Sequence, residues 1–195
     1  GLQDFFVASD RKLPVLAKFD HEGTMLWRHV APPEVVDLMG PALDAEGNVY
    51  LLQRRPLDFT GSATTVELVK YSANGTLLWI RGDVPRLDEW KSMQMSPWGH
   101  LIGIAVGSFG LSDGFALDGS GEVVSTFHFL AEPNATPTVA FDPAGAFYVV
   151  RRHDSRLHAA RFSSTYGFLW DHPLDGIDTG EARSVDSMGN LIVTG

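Results

Sequence analysis

The stretch PALDAEGNVYLLQ, residues 41–53, joins a polar turn to an apolar run, and related stretches follow it three times along the chain. The later copies are QMSPWGHLIGIA, VAFDPAGAFYVV and SVDSMGNLIVTG, at residues 94–105, 139–150 and 184–195. Their turn glycines follow one another at intervals of 52, 46 and 44 residues: Gly47, Gly99, Gly145 and Gly189. A recurrence of this length indicates a fold assembled from similar supersecondary units.

A second recurrent pattern alternates with the first and places another polar turn between two apolar runs. Its copies are LAKFDHEGTMLW, LVKYSANGTLLW, FALDGSGEVVS and AARFSSTYGFLW, at residues 16–27, 68–79, 115–125 and 159–170. A tight polar turn between alternating runs is typical of a β-hairpin, with glycine where φ is positive. Two hairpins in about 47 residues predict a four-stranded antiparallel blade with strands a to d. The chain is therefore predicted to be an all-β protein, a β-propeller.

The repeats divide residues 1–195 into four units and a remainder, within one β-propeller domain or propeller segment. The boundaries are predicted near 1–39, 40–91, 92–137 and 138–181, with a partial repeat at 182–195. In the second repeat the strands are expected at Gly40–Leu43, Asn48–Gln53, Thr65–Tyr71 and Thr76–Arg81.

The number of strands indicates whether the chain can close a propeller ring on its own. The pattern gives about 17 strands, whereas a closed four-blade ring needs about 16, which favours a segment of a larger ring of about six to eight blades. The alternative is a homodimer, in which two chains complete one eight-bladed ring.

The two patterns together resemble the bacterial β-propeller repeats called SBBP repeats, whose unit reads D-x-x-G-N-x-Y-V-x-G followed by K-Y-D-x-x-G-x-L-x-W. Residues 42–50 with 70–79, residues 18–27 and residues 186–195 match it best. The third repeat departs from it, with Ser96, Pro97 and Trp98 at its first turn and Ser125 in place of the tryptophan. The resemblance implies an extracellular or cell-envelope protein that binds a partner through one propeller face or the channel.

Composition and charge argue against several classes of partner. The chain has 195 residues, 44% of them hydrophobic, and a formal net charge of −9, which disfavours binding to nucleic acid. No apolar run approaches the roughly 20 residues of a membrane-spanning helix. Because cysteine is absent, thiolate metal sites are excluded. A quinone-docking pattern is present only as the fragment LDAEG, so no cofactor is predicted.

Two loops between strands b and c lie outside the repeat pattern, and both carry paired arginines. They read QRRPLDFTGSATT at residues 53–65 and RRHDSRLH at residues 151–158. The four arginines are candidate ligand-binding residues, because neighbouring guanidinium groups in an acidic protein suit a carboxylate or a phosphate: Arg54, Arg55, Arg151 and Arg152. The alternative is that they pair with nearby acids such as Asp58 or Asp154 and remain solvated.

The fourth-repeat loop also holds His153 and Asp154, two further candidate ligand-binding residues close to His158. A catalytic or metal-binding role is disfavoured, because successive strand residues point to opposite faces of a sheet. Trp90 lies outside the strand d position at which the other repeats place tryptophan. It is a candidate ligand contact, and packing in strand a is the favoured alternative.

These features favour a non-enzymatic binding or structural module over an enzyme. The stretches expected to form strand a are largely small or apolar, which disfavours a charged axial site: MGPALD, KSMQMS, TPTVAF and EARSVD. Asp175, Asp178 and Glu181 lack the register of a calcium loop, so neither a metal site nor a catalytic residue is predicted. The alternative is a propeller lyase or metal-dependent lactone hydrolase with an axial site. The ligand, whether a protein, a glycan or a small molecule, is not specified by these residues.

We predict that light scattering on the purified chain shows a mass that rises with concentration, because the open edges of an incomplete ring pair with one another. The mass of one chain is 21.3 kDa. A constant mass of twice that value would instead support the homodimeric ring. A constant mass of one chain would support a closed four-blade ring and contradict the segment.

Overall fold

The fold is seen in a computed structural model that describes residues 5–10, 13–57, 64–86, 89–107, 109–133, 135–177 and 179–194. The chain forms two compact units, residues 1–88 (unit 1) and residues 89–195 (unit 2), and each is described by itself. Over the described ranges, no helix is long and apolar enough to cross a membrane.

Unit 1 contains two antiparallel sheets in which neighbouring strands are also consecutive in the sequence. The first sheet has three strands: β1 (Phe5–Asp10), β2 (Leu13–Phe19) and β3 (Met25–Val30). The second sheet has four: β4 (Asp37–Leu43), β5 (Val49–Pro56), β6 (Thr64–Tyr71) and β7 (Leu77–Arg81). Leu16 of β2 packs in one buried cluster with Leu51 of β5 and Val69 of β6, so the two sheets share an apolar core.

Unit 2 contains two four-stranded sheets and one two-stranded sheet, all of them antiparallel. The first comprises β8 (Trp90–Met95), β9 (Leu101–Val106), β10 (Leu111–Leu117) and β11 (Val123–Leu130). The second comprises β12 (Thr138–Phe141), β13 (Phe147–His153), β14 (Arg156–Phe162) and β15 (Phe168–Pro173). The third pairs β16 (Glu181–Val185) with β17 (Leu191–Thr194).

The core of unit 2 is built on aromatic rings from neighbouring sheets. Phe127 of β11 lies 4.8 Å from Phe162 and 5.1 Å from Phe147, measured between ring centroids. A second cluster joins Ala140 and Val150 of the β12–β15 sheet to Ala182 of β16. Within unit 2, each sheet therefore buries apolar residues against the next one in sequence, as the repeat pattern predicts for propeller blades.

These sheets confirm the predicted all-β architecture and its four-stranded repeat. The described residues contain 17 strands. In the second repeat the expected strands correspond to β4 to β7. β4 begins three residues earlier, at Asp37, β5 continues three residues further, to Pro56, and the starts of β5, β6 and β7 each differ by one residue.

The polar turns have the predicted conformation, with a glycine at positive φ. In the turn between β4 and β5, Gly47 has φ +78°, and the Asp44 carboxylate accepts a hydrogen bond from the backbone N–H of Asn48 at 2.8 Å. The equivalent Gly99, Gly145 and Gly189 have φ between +85° and +100°. An L-residue with a side chain rarely adopts this conformation, which explains the glycine at each turn.

An ion pair with a buried carboxylate recurs beneath these turns. In unit 1 the Lys70 Nζ of β6 lies 3.4 Å from the Asp44 carboxylate and 4.8 Å from the centroid of the Tyr50 ring. In unit 2, Arg161 of β14 lies 3.1 Å from the Asp142 carboxylate, and its guanidinium carbon lies 5.4 Å from the Tyr148 ring centroid. Each acid–cation pair thus joins the turn before strand b to strand c, with an aromatic ring of strand b beside it.

The third repeat has neither the acid nor the cation of this ion pair. Ser96 occupies the position of the acid and Ala116 the position of the cation, and both residues are buried. The Ser96 hydroxyl accepts a hydrogen bond from the backbone N–H of His100 at 2.9 Å and so keeps the turn contact without a charge.

One turn carries a tyrosine where the other repeats have glycine. Tyr166, between β14 and β15, is buried at φ +65°, which is a strained conformation for a bulky residue. Its hydroxyl accepts a hydrogen bond from Trp98 Nε1 at 3.2 Å and also bonds to His100 Nδ1. The strained turn is thus held by two residues of the β8–β9 turn, one of which, Trp98, departs from the repeat pattern.

We predict that Asp44→Asn lowers the free energy of unfolding by roughly 2 kcal/mol, because it removes the charge partner of a buried ammonium group. Burial raises the pKa of Asp44, but hydrogen bonds from Asn48 and the charge of Lys70 outweigh this and hold the pKa below its ordinary value. The pair therefore stabilises the fold fully above the unfolded pKa, and this stabilisation is lost as pH falls through the folded pKa.

Urea unfolding over a series of acidic pH values measures this difference. The gap between the parent chain and Asp44→Asn is expected to close as pH falls. Asp83→Asn, which alters an exposed ion pair with Arg81 at 2.7 Å, is the control and is expected to change stability less. A gap that stays constant with pH would contradict the role of the Asp44 charge.

Candidate functional site

A candidate site is a cavity of about 660 Å³ in unit 2, at the ends of strands β13, β16 and β17. We call it the arginine cavity. The connections that lead into β12 and β16 form part of its wall, and the start of β14 closes it. Its polar lining consists of three arginines, three threonines and one glutamate: Arg151, Arg152, Arg183, Thr136, Thr179, Thr194 and Glu181.

Arg151 lies in the lining of this cavity. Its side chain is buried, with 1% of the residue exposed. Its Nε donates to the Leu130 carbonyl at 2.8 Å, its Nη1 donates to the Asp171 carboxylate at 3.1 Å, and its Nη2 donates to the other oxygen of Asp171. The expectation that this arginine stays solvated or pairs with Asp154 is therefore wrong. Because Arg151 lies on the central strand β13, it faces packed side chains, and a buried guanidinium requires a carboxylate.

The carboxylate that holds Arg151 also contacts a histidine. The Nδ1 of His158 lies 3.1 Å from an Asp171 oxygen. Burial raises the pKa of Asp171, but the hydrogen bonds and charges of Arg151 and His158 outweigh it, so the pKa lies below its ordinary value. Asp171 is thus ionised at neutral pH and fixes the position of the Arg151 guanidinium.

The two other arginines are more exposed, and each is anchored by an acid. The Nε of Arg152 lies 3.3 Å from the Glu132 carboxylate. Arg183, whose side chain is 59% exposed, donates from Nε to the Thr194 hydroxyl at 2.8 Å, and its Nη2 lies 3.1 Å from Glu181. Among the described residues, the Nη1 of Arg183 has no hydrogen-bond partner. The cavity therefore offers guanidinium groups whose orientation is already fixed.

The first arginine pair lies in unit 1. Arg54 is exposed on β5, opposite Asp37 in the strand register. Arg55 is half-buried, and its Nη2 donates to Glu67 at 2.5 Å. Burial raises the pKa of Glu67, but hydrogen bonds from Arg55 and Gln53 outweigh this and lower it. Because the two arginine pairs belong to different units, a basic patch shared by all four residues stays a prediction. Asp58, the acid expected to pair with the arginines of the first loop, lies outside the described residues.

His153 and Asp154 contact each other, contrary to the expectation that they point to opposite faces. Asp154 is not in a strand: it begins the turn after β13, with φ +49°. Its carboxylate lies 3.5 Å from the His153 Nε2, and the rings of His153 and His158 lie 5.3 Å apart. Among the described residues, no group of three or more His, Cys, Asp or Glu side chains is arranged to hold a metal ion. Asp178 lies outside that part of the chain.

Trp90 lies inside its sheet and is only 2% exposed. Its ring stacks on Phe115, with centroids 6.1 Å apart and an interplanar angle of 7°. It also covers Gly103, where a Cβ would lie 2.0 Å from the ring. Trp90 therefore packs in strand a against its neighbours, which corrects its inclusion among the candidate ligand contacts.

Several residues of the cavity are absent from the sequence-based candidates. Arg183 and Thr194 come from the partial repeat, and Thr136 and Thr179 come from connections between repeats. Only the position of these residues within the repeat could have indicated the site, since connections between strands d and a lie on the same propeller face as connections between strands b and c. Residue type gave no signal, because single threonines and arginines are ordinary surface residues.

Comparison with known proteins identifies the fold but no family. No protein-family model and no curated protein matches the sequence. Solved structures do match, among them a protein of unknown function from Bacteroides caccae, with a TM-score of 0.61 and 15% identity. The Dos1 propeller matches with a TM-score of 0.60 and 13% identity. The fold is a β-propeller.

A third propeller match is virginiamycin B lyase from Staphylococcus aureus, with a TM-score of 0.63 and 8% identity. The matches cover 98%, 91% and 96% of this chain, in the order given. The chain spans 64%, 48% and 61% of the three solved chains. At these identities the likeness concerns the fold, which many unrelated functions share.

We predict that Arg151→Gln lowers the free energy of unfolding by about 3 kcal/mol, because it leaves Asp171 without its guanidinium partner in a buried site. Arg152→Gln is the matched control, since this neighbouring arginine is half-exposed, and its expected effect is below about 1 kcal/mol. Urea unfolding of both variants measures the difference. Equal effects would contradict the structural role of Arg151.

Proposed function

We propose that the chain is a non-enzymatic binding module whose arginine cavity takes a ligand with a carboxylate or phosphate group. The observation that carries this proposal is that two accessible arginines, Arg152 and Arg183, line one cavity of about 660 Å³ beside the buried Arg151, in a chain with a net charge of −9. Guanidinium groups bind carboxylates and phosphates through paired hydrogen bonds.

The anchoring of these arginines supports binding rather than arguing against it. A guanidinium has five N–H groups, so one that is held by an acid keeps donors for a ligand. The acids also fix each side chain before the ligand arrives, which reduces the entropy lost on binding. Threonine hydroxyls from three segments supply further neutral donors and acceptors around the same space.

We base the proposed location of this module on the resemblance of its repeats to SBBP repeats. SBBP-type repeats imply a bacterial extracellular or cell-envelope protein, and an anionic ligand in that setting is a glycan acid, a peptide or a small organic acid. The fold supports a binding or structural role in general, because propellers present loops on rigid blades.

We expect Arg183→Gln to weaken binding of a dianionic probe about tenfold, as the loss of one charge-assisted hydrogen bond implies. Succinate and inorganic phosphate are titrated separately into the labelled chain, and binding is followed by NMR chemical-shift changes. The two titrations distinguish a carboxylate ligand from a phosphate ligand. The Arg183 side chain is exposed, so folding is expected to be unaffected.

Arg156→Gln is the matched control, because Arg156 is an exposed arginine of β14 that does not line the arginine cavity. It is expected to leave both affinities unchanged. The proposal fails if neither probe shifts resonances of the cavity residues. It also fails if Arg183→Gln and Arg156→Gln weaken binding equally, since that result indicates only general charge attraction.

A further inference from the structure

A second cavity, of about 360 Å³, lies beside the arginine cavity. We call it the apolar groove. It is formed by residues 109–110 before β10, residues 130–133 at and after the end of β11, and residues 153–155 between β13 and β14. Its apolar wall consists of Phe109, Leu130 and Pro133, and its polar rim carries Glu132, His153 and Asp154.

The apolar wall is unusually open to solvent. Phe109 is 95% exposed, and Leu130 and Pro133 are also exposed. A phenylalanine at a loop tip that packs on nothing gains no burial in the folded chain, whereas it gains apolar contact when a partner covers it. The groove thus offers an exposed apolar surface to a ligand, whereas the arginine cavity is lined mainly by polar side chains.

The wall between the two cavities contains residues 130–132, which line the groove and are bonded to arginines of the arginine cavity. The Leu130 carbonyl accepts a hydrogen bond from Arg151 at 2.8 Å, so the backbone of a groove residue contacts an arginine of the other cavity. The Glu132 backbone N–H donates to the Arg152 carbonyl at 2.8 Å. The Glu132 carboxylate also lies 3.3 Å from Arg152. Two hydrogen bonds and one ion pair therefore join this wall to the arginine side.

A wall of this kind suits an extended peptide, because successive side chains of an extended chain point in opposite directions. A peptide that lies along the wall places one side chain in each cavity. The charges determine which side chain enters which cavity. Three arginines line one cavity, whereas Glu132 and Asp154 at the rim of the groove repel a second carboxylate.

We propose that the two cavities form one site for a peptide in which an acidic residue is adjacent to a large apolar residue. The carboxylate occupies the arginine cavity, and the apolar side chain packs on Phe109 in the groove. This inference rests on the proposed function, since it names the ligand class of the arginine cavity.

The test uses the full chain and a blocked tetrapeptide, acetyl-Gly-Glu-Phe-Gly-amide, titrated by NMR or calorimetry. Two control peptides replace Glu by Gln or Phe by Ser. Phe109→Ser is expected to weaken binding of the first peptide about tenfold, through loss of apolar contact. Met188→Ser is the matched control variant, because Met188 is 82% exposed and lies at the β16–β17 turn, outside both cavities.

The expected result is that both peptide substitutions weaken binding and that Phe109→Ser abolishes the advantage of Phe over Ser in the peptide. If succinate binds through Arg183 but Phe109→Ser has no effect on the peptide, the inference fails and the proposed function stands. If the peptide depends on Phe109 but its Glu and Gln forms bind equally, its carboxylate does not occupy the arginine cavity and the inference fails, whereas the succinate and phosphate titrations still decide the proposed function. If no peptide binds, the inference fails, and the succinate and phosphate titrations alone decide the proposed function.

Discussion

The ion pair between a buried turn carboxylate and a strand c cation is the constraint on which the second and fourth repeats depend. Asp44 accepts hydrogen bonds from its own turn and faces Lys70 across two strands. Placing an ammonium group in the blade interior is costly unless a carboxylate and further hydrogen bonds accompany it. The turn therefore needs its aspartate for two reasons, the conformation of the turn and the charge of the strand behind it. Asp142 and Arg161 repeat the arrangement in unit 2.

In the third repeat, the residues of the ion pair and the aromatic residues near it are replaced together. Where Asp44 and Lys70 stand in the second repeat, Ser96 and Ala116 stand in the third. The aromatic positions change with them, since Ile102 replaces the tyrosine and Ser125 replaces the tryptophan. Losing only the acid leaves a buried cation, and losing only the cation leaves a buried acid. The odd repeat is consequently not a degraded copy, because an uncharged set of residues fills the same space.

Much of the fold follows from the sequence, because turn glycines and alternating runs act locally. The strands of the second repeat were predictable to within about three residues, since each is bounded by a polar turn with its own hydrogen bonds. The site was less predictable. The sequence indicates that Arg151 ends a strand, but not that the strand faces a packed neighbour and that Asp171, twenty residues away, supplies its charge partner. Arg183 was missed for the same reason, since only the three-dimensional arrangement of sheets brings β16 and β13 to one cavity.

Tyr166 limits how freely these repeats can be exchanged. Repeat proteins are commonly treated as strings of interchangeable modules, each independent except for a generic interface. Here a strained turn of the fourth repeat is held by Trp98 and His100 of the third, and no other described turn carries a tyrosine at that position. A copy of the third repeat placed elsewhere presents these two side chains to a glycine. The third and fourth repeats therefore depend on each other at this turn, and exchanging the third repeat alone would leave the strained tyrosine without these two partners.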